Sequence, residues 1–381
     1  MQVENDTKRA LMLQYPCSRG RAFVCKNIGD YVQSIATRQY IDKVDEYIEQ
    51  EEANEYYPED KRKARMIMNG WFQWRAENWP PSEYIEPLLI SMHISPLKAK
   101  DLLTSEGIAF LKKNGPVGCR DYGTKNLLES VGVPAYFSAC LTLTLGKKYL
   151  YPDEERRGIY FVDPYFEIPQ LRQEKGNKVK YKVVFSWLGY FILHMRPICK
   201  LAKHTFFKEY SPTGFLDRDD KKYRPFYKAA VFYKMYSKKF DKQMLLDAEY
   251  ITHWMDVNMS KDTNDDLLEI AENLIKKYAS AKLLVTSRIH AALPALATRT
   301  PVIFVENEKI TAENCDFNTP GRLGGLLEFF RTLQINAGGF DTKDSVLASI
   351  GKFTKNVTFQ NKTEWERYAA ELDAKCTDFM K

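Results

Sequence analysis

Apolar and polar positions along this chain follow two patterns, one typical of strands and one typical of helices. Short apolar runs recur through both halves, and many precede stretches whose apolar positions stand three or four residues apart. Strands that alternate with helices in this way predict a mainly parallel sheet in each half. The predicted strands are Ala22–Cys25, Met66–Met68, Leu88–Met92, Val117–Cys119, Ala135–Ser138, Ile159–Val162, Glu249–Thr252, Leu283–Thr286 and Pro301–Val305.

Four segments have the spacing of amphipathic helices. Gly29–Ile41 directly follows the first predicted strand, and Thr124–Val131 and Asp265–Tyr278 come later. Thr363-Glu-Trp-Glu366 matches a capping box, which predicts that a C-terminal helix begins there. We expect the apolar stripe of that helix to cross back and pack on the first half. The stripe consists of Trp365, Tyr368, Leu372 and Phe379.

The length of 381 residues exceeds one ordinary core and predicts two domains. We expect an α/β fold in which two doubly wound, Rossmann-like domains face a cleft. Charged, turn-rich residues from Gly146 to Gly158 mark the boundary between domains 1–155 and 156–340, and a C-terminal extension follows at 341–381.

Residues 178–242 form a predicted helical insertion, rich in aromatic residues and lysine. Its least polar part is Val183–Met195, and basic residues flank it on both sides. We expect a core helix here. The alternative, a helix lying in a membrane interface, stays open.

The charge balance excludes some classes of partner. The chain carries 56 basic and 50 acidic residues, and a net charge of +6 is too modest to indicate a nucleic-acid footprint. It is compatible with an anionic substrate or an anionic lipid surface. The N-terminus lacks the apolar core of a secretion signal, and we expect a cytoplasmic protein. Seven scattered cysteines without a C-x-x-C pair predict neither disulfides nor structural zinc.

Polar residues cluster where predicted strands meet helices, the place where open α/β sheets bind ligands. The sharpest example follows the apolar run Leu283–Val285, where Thr286, Ser287, Arg288 and His290 open the next helix. A helix N-terminus and an arginine both favour an anion, and His290 could exchange a proton near neutral pH. A surface arginine and a core histidine are the alternative.

Two further strand ends carry candidate chemistry. In Asn27-Ile-Gly-Asp30, Gly29 permits a close backbone approach, and Asp30 could cap the helix or act as a base. In Arg120-Asp121, Asp121 is the predicted helix cap, and Arg120 is a second anion clamp or a structural partner of an aspartate. His93, Asp163 and His253 complete the polar strand-end set.

Several common motifs have no match in a suitable setting. These are the dinucleotide-binding glycine fingerprint, the phosphate-binding loop of nucleoside triphosphatases, the zinc-peptidase helix and the nucleophile elbow. The sequence therefore indicates an anionic substrate other than a dinucleotide or a nucleoside triphosphate.

Three separated segments resemble the polysaccharide pyruvyl transferase family, whose members attach pyruvate from phosphoenolpyruvate to sugars as a cyclic ketal. They are Asn27–Ala36, Gly115–Leu128 continuing into Ser138–Leu145, and Val285–Val302. The third is the most specific. The resemblance implies a fold similar to glycosyltransferases of the B type, with phosphoenolpyruvate bound in the second domain and the acceptor on the first.

The resemblance carries over to particular residues of this chain. Arg288 and His290 in the S-R-x-H turn, together with Ser287 and Arg120, would bind phosphoenolpyruvate. An arginine pair and a helix N-terminus would meet its carboxylate and phosphate, so we expect no metal and no cofactor beyond this donor substrate. We assign His290 as acid or phosphate partner and Asp30 as base. The acceptor side would comprise Asn27, Asp30 and His93.

The acceptor is expected to be a hexose of a surface polysaccharide precursor, for an exopolysaccharide or a capsule. A lipid-linked saccharide would fit a cytoplasmic chain with a basic, aromatic insertion, and peripheral contact with the inner face of the membrane is a further option. The runner-up is a nucleotide-sugar-dependent glycosyltransferase of the two-domain B type. A third interpretation is a non-catalytic module that binds sugars or lipid surfaces.

Overall fold

The computed structural model describes residues 9–15, 23–72, 75–169, 181–210, 224–258, 263–307, 321, 323–336 and 339–381. The strands are β1 Arg9–Gln14, β2 Phe23–Asn27, β3 Glu46–Glu49, β4 Ala64–Phe72, β5 Ile85–Ile94, β6 Val117–Cys119, β7 Ala135–Phe137, β8 Arg157–Val162, β9 Glu249–Ile251, β10 Trp254–Asn258, β11 Ala281–Thr286, β12 Val302–Glu306, β13 Arg331–Asn336 and β14 Gly339–Asp341. The helices are α1 Ile28–Arg38, α2 Ala99–Leu102, α3 Ser105–Lys113, α4 Tyr122–Ser130, α5 Gly146–Tyr149, α6 Tyr181–Leu193, α7 Met195–Leu201, α8 Thr205–Glu209, α9 Arg224–Tyr236, α10 Lys242–Asp247, α11 Asn264–Ala279, α12 Ile289–Ala297, α13 Ser345–Ser349 and α14 Trp365–Met380.

Two six-stranded sheets organise the chain. The first has the strand order β3-β1-β4-β5-β6-β7 and is parallel throughout. The second has the order β14-β13-β12-β11-β8-β9 and is parallel except for β14. The predicted α/β class with a mainly parallel sheet in each half is confirmed. The resemblance to glycosyltransferases of the B type stays a prediction.

The change from one sheet to the other lies between Phe137 and Arg157. The predicted division into domains, and the status of 178–242 as an insertion, stay predictions. Within that segment the described helices α6 to α9 supply many of the aromatic side chains that cover one face of the second sheet, including Phe207, Phe232 and Tyr236 around Phe161.

The described part of the strand predicted at Ala22–Cys25 forms, and Ala22 lies outside the described residues, but the assignment of this strand to the parallel sheet is wrong. Strand β2 pairs antiparallel with β10, outside both large sheets, with Asn27 opposite Trp254. The first sheet instead contains β1 and β3, which the prediction omitted. The partner of β2 is distant along the chain. An apolar run therefore shows that a strand forms without showing which strand it joins.

Helix α1 joins the two halves. Its apolar face packs with α11, and Val32 and Ile35 share a buried cluster with Leu268 and Ile275. Asn264–Ala279 agrees closely with the predicted helix and begins with a capping box between Thr263 and Asp266. The halves are therefore held together by continuous apolar packing as well as by the β2–β10 ribbon.

The C-terminal helix also contacts the first half. Leu372 and Cys376 are buried in the same cluster as α1, and Tyr40 donates a hydrogen bond to Asp373 at 3.0 Å. The predicted capping box at Thr363 is wrong. The helix begins at Trp365 without a side-chain cap, and the backbone carbonyl of Thr363 accepts from the Glu366 N–H instead.

Candidate active site

The turn after β11 is held by its own hydroxyl groups. Leu283–Val285 is buried as predicted, and Thr286 donates to the Val162 carbonyl at 2.6 Å while accepting from the Arg288 N–H at 2.9 Å. The Ser287 hydroxyl donates to the Val305 carbonyl at 2.6 Å and accepts from the Tyr165 N–H at 2.9 Å. Both hydroxyls therefore fix the backbone from which Arg288 projects.

Arg288 is oriented by a buried carboxylate. Its Nε donates to Asp163 Oδ2 at 3.0 Å, and its guanidinium carbon lies 5.6 Å from the centre of the Trp254 ring. The Arg288 side chain is 23% exposed, whereas that of Asp163 is 5% exposed. Because Nε makes this hydrogen bond, the Nη edge of the guanidinium remains available to bind a carboxylate or a phosphate in bidentate fashion.

Asp163 also fixes the neighbouring histidine. Its Oδ2 accepts from the His253 N–H at 2.9 Å, and His253 Nε2 lies 2.7 Å from the hydroxyl of Tyr278. Burial lowers the pKa of His253 to about 4, an effect that Asp163 opposes and Arg288 adds to. The imidazole of His253 is therefore uncharged at neutral pH, and its hydrogen bonds hold it in place at one side of the site.

Gly29 brings the two halves into contact at the beginning of α1. A Cβ added at Gly29 would lie 3.1 Å from His253 Nδ1 and 3.2 Å from His290 Cβ. The Ile28 N–H donates to the His253 carbonyl at 2.8 Å. The helix N-terminus of the first half thus touches the predicted donor turn of the second half, where His290 is buried.

Asn27, not Asp30, caps α1. The Asn27 side-chain oxygen accepts from the Gly29 N–H at 3.2 Å, and its amide lies 3.5 Å from Asp30 Oδ1. Asp30 lies in the first turn of the helix and is partly exposed. The capping alternative for Asp30 is wrong, because α1 begins at Ile28, three residues earlier than that alternative requires.

Arg120 is buried beside α1 and Tyr15. Its Nη1 donates to Gln33 Oε1 at 3.5 Å, and the side chain is almost completely inaccessible. Among the described residues, the structure shows no hydrogen-bond partner for Arg120 Nε or for Gln33 Nε2. The alternative of a structural Arg120–aspartate pair is not observed there. Buried donors of this kind usually bind a group, so an anion or a hydroxyl would satisfy them.

The charges of Arg120 and Asp30 both act on Tyr15. Burial raises the pKa of Tyr15 well above its usual range, the Asp30 charge raises it further, and the Arg120 charge opposes the rise. Both charges therefore act on one phenol, which stays protonated and can donate a hydrogen bond. Asp30 and Gln33 stand three residues apart, on the same face of α1.

His93 lies near the carboxyl end of β5, next to Arg120, which directly follows β6. The Arg120 N–H donates to the carbonyl of Met92, the residue before His93. His93 Nδ1 lies 2.7 Å from Asp121 Oδ2, while Asp121 Oδ1 accepts from the Thr124 N–H at 2.8 Å. The predicted helix cap at Asp121 is confirmed. An ionised carboxylate only accepts, so Asp121 favours the tautomer of His93 that carries hydrogen on Nδ1.

The predicted site residues thus form two groups that meet at Gly29. Asn27, Asp30, Arg120 and His93 lie on the first half, and Ser287, Arg288 and His290 lie on the second. Their roles stay predictions. Sequence reasoning assigns no role to Asp163, His253, Trp254, Tyr278, Tyr15 or Gln33. Asp163 and His253 belong to the polar strand-end set, which is the signal that could have found them.

Two other features bear on the chemistry. Within the described parts of the chain, no three histidine, cysteine or acidic side chains are grouped so that they could hold a metal ion.

A cavity of about 850 Å³ opens at the β1–β3 edge and shares no residue with the site. Its lining is rich in carboxylates, including Glu46, Glu49 and Glu52, so it does not suit an anionic substrate.

One of three comparisons with known proteins finds a match. A family model described as polysaccharide pyruvyl transferase matches residues 27–309, which is most of the chain. The matched range includes both groups of site residues. Searches of curated proteins and of solved structures find no match.

Proposed function

Because the chain belongs to the polysaccharide pyruvyl transferase family, we propose that it moves the pyruvyl group of phosphoenolpyruvate onto two hydroxyls of a hexose. The product is a cyclic ketal in a surface polysaccharide precursor, and phosphate is released. The family match supports the reaction class, and the geometry of the site supports the choice of donor.

The observation that carries this proposal is the contact at Gly29. It brings the N-terminus of α1, with Asp30, against the turn that presents Arg288 and His290. Arg120 lies beside the same helix, near Gln33, and its buried Nε has no hydrogen-bond partner in the described part of the chain. Two separated cationic groups suit a small, doubly acidic donor, and in our proposal Arg120 of the first half and Arg288 of the second half are those groups.

The reaction needs one proton at carbon and a base for the sugar. Protonation of the methylene carbon of phosphoenolpyruvate makes the adjacent carbon an oxocarbenium-like centre. The first sugar hydroxyl attacks that carbon and loses its proton, and the carbon–oxygen bond to phosphate then breaks. A second hydroxyl of the same hexose attacks the same carbon, loses its proton and closes the ring. Of the two protons that the hydroxyls lose, one replaces the proton given to the methylene carbon and the other leaves on the phosphate, so one general acid and one general base suffice.

In our proposal the donor is held by the Nη edge of Arg288 and by Arg120. His290 supplies the proton or contacts the phosphate, and Ser287 acts by holding the turn, because its hydroxyl is already engaged. Placing both hydroxyls against one carbon is the larger part of the task, since orientation alone can contribute about 7–11 kcal/mol.

The acceptor lies on the first half in this proposal. Asn27, Asp30 and His93 face it, and Asp30 is the base. His93 is the competing candidate, because Asp121 holds its ring in one tautomer. An Asp30→Asn variant that is inactive beside an active His93→Gln variant would support Asp30, and the reverse would transfer the role to His93.

Product formation tests the reaction directly. The purified chain is incubated with phosphoenolpyruvate and a panel of hexosides, including lipid-linked ones, and phosphate release is measured together with the mass gain of a pyruvyl ketal. Phosphate release without a ketal, or no reaction with any hexoside, would contradict the proposal.

Variants test the assigned residues in the same assay. Arg288→Lys and Arg120→Lys should each lower kcat/KM for phosphoenolpyruvate by about 10- to 100-fold, because each removes charge-assisted hydrogen bonds. Arg367→Lys, an exposed arginine of α14, is the matched control and should keep wild-type activity. Near-normal turnover of a folded His290→Ala variant would remove His290 from the mechanism.

Ligand stabilisation separates this proposal from a nucleotide-sugar-dependent glycosyltransferase. A ligand that binds only the native state stabilises the protein, by about 2.7 kcal/mol at one hundred times its Kd. The melting temperature therefore rises. Phosphoenolpyruvate should produce this shift and nucleotide sugars should not. The opposite pattern would favour the glycosyltransferase.

A further inference from the structure

Helix α6 carries an exposed apolar stripe. Tyr181, Phe185, Leu188 and Ile192 follow one another at intervals of three or four residues, which places them on one face of the helix. Each is at least 50% exposed, and Leu193 is 78% exposed. The predicted core helix is therefore wrong for this face. Exposed apolar side chains in a continuous stripe mark an interaction surface.

The opposite face of α6 is firmly packed. The Trp187 ring lies 5.4 Å from that of Tyr227 on α9, and Lys234 Nζ lies 4.6 Å from the centre of the Trp187 ring. Phe191 contacts Phe226 at 6.2 Å between ring centres. The helix is thus anchored to the second half through one side, and the stripe is presented outward by a fixed support.

The sequence segment that contains α6 carries charge of one sign. Between residues 175 and 208 the sequence contains no aspartate or glutamate and eight basic residues, Lys175, Lys178, Lys180, Lys182, Arg196, Lys200, Lys203 and Lys208. Lys182 and Arg196 lie at the two ends of the stripe and are exposed. Lys200 pairs with Asp247 at 3.3 Å on a neighbouring helix. This pattern complements an anionic surface.

We propose that the α6 stripe docks the protein on a bilayer that contains anionic phospholipids. The apolar and aromatic side chains enter the boundary between headgroups and acyl chains, while the lysine and arginine side chains reach the lipid phosphates. Of the helices in the described residues, none has both the length and the apolar character needed to cross a membrane. A helix of 13 residues with one buried face instead lies in the plane of the interface.

This inference goes beyond the proposed function, because it concerns where the protein is held rather than what it transfers. If the ketal chemistry acts on a lipid-linked saccharide, the same surface would hold the enzyme beside its acceptor. The experiment below contains neither phosphoenolpyruvate nor sugar, so its failure and that of the proposed function are distinguishable.

Vesicle binding by the full chain tests the proposal. Vesicles of phosphatidylcholine alone are compared, by flotation, with vesicles of phosphatidylcholine and phosphatidylglycerol in equal amounts. The protein should bind the mixed vesicles only, and added salt should weaken binding. A Phe185→Ser, Leu188→Ser, Ile192→Ser triple variant should bind at least about tenfold more weakly. Lys182→Gln and Arg196→Gln should each weaken binding about fivefold.

Matched controls make the result specific. Leu97 and Leu150 are leucines exposed elsewhere, so Leu97→Ser with Leu150→Ser removes comparable apolar surface outside the stripe and should leave binding unchanged. The triple variant should keep the wild-type melting temperature, because its changed side chains are exposed. Equal vesicle binding by the triple variant and the wild type would overturn the proposal.

Self-association is the competing use of such a stripe. A wild-type dimer that the triple variant converts to a monomer, without vesicle binding by either, would also overturn the proposal. Binding to neutral and anionic vesicles alike would refute the charge complementarity on which it rests.

Discussion

Arg288 shows how a candidate site side chain is placed by a residue far away in the sequence. Strands β8 and β11 are parallel neighbours, with Val162 opposite Thr286. The residues that follow them therefore emerge side by side, and Asp163 meets Arg288 although 125 positions separate them. The cost of burying the carboxylate is offset by two hydrogen bonds, one from the guanidinium and one from the His253 backbone.

Asp163→Asn should reduce kcat/KM for phosphoenolpyruvate by about a hundredfold, because a neutral amide holds the guanidinium less firmly and small misplacements are costly. Stability should fall by only about 1–3 kcal/mol. Steady-state kinetics and chemical denaturation measure the two effects separately. Asp153→Asn, at an exposed aspartate that pairs with Arg156, is the control. Unchanged kinetics in Asp163→Asn would show that Asp163 does not position Arg288.

At the scale of elements, α1 both connects the two halves and forms part of the candidate site. Its sides join the two sheets through apolar packing, and its first turn forms the contact with His253 and His290. Gly29 permits that approach because it has no Cβ. A side chain at this position would need both histidines to move by a few tenths of an ångström.

Gly29→Ala should lower turnover by at least about tenfold, since displacing the histidines disturbs the site. The crowding should cost about 1–3 kcal/mol of stability. The assay is ketal formation, together with thermal melting. Gly189→Ala is the matched control, because a Cβ at Gly189 of α6 would meet no atom within 4 Å. Full activity in Gly29→Ala would mean that this close approach has no part in catalysis.

The C-terminal helix is a second connecting element. Leu372 is buried to 1% exposure in the cluster around α1. Leu372→Ala should therefore destabilise the whole protein by about 2–5 kcal/mol in chemical denaturation. Leu97→Ala, at a leucine that is 89% exposed, should change stability by about 0.5 kcal/mol or less. A loss as small as this in Leu372→Ala would indicate that α14 is dispensable for holding the first half.

At the scale of the molecule, a titratable group lies between the two halves. His253 is buried, and its carbonyl accepts the first N–H of α1. Its folded-state pKa of about 4 is below the ordinary 6.5, so the unfolded chain binds the additional proton between these values. This histidine makes the folded state less stable as the pH falls through that window.

The contribution of His253 to this loss should be about 2 kcal/mol between about pH 7 and pH 5. Chemical denaturation at both pH values measures it. The His253→Gln variant lacks the titrating group, so its stability should change less between the two conditions. It should also be less stable than the wild type at neutral pH, because the contact with Tyr278 is altered. Equal pH dependence in both proteins would assign the acid sensitivity to other groups.

Local pattern predicted much of this fold. The helix Asn264–Ala279, the buried strand before Arg288 and the cap at Asp121 all follow from signals within a few residues. The pattern failed at the strand β2, whose partner lies more than two hundred residues away. It also failed for α6, because an apolar stretch buries one face and exposes the other according to what surrounds it.

The sequence by itself determined which residue types stand at each strand end, and with them that an arginine, a histidine and a carboxylate belong to the candidate site. Only the tertiary structure decided which strand ends are neighbours, that Asp163 orients Arg288, and that Gly29 contacts His253 and His290. The physical reason is that side-chain chemistry is a local property of the chain, whereas register and close approach depend on packing between segments far apart in sequence.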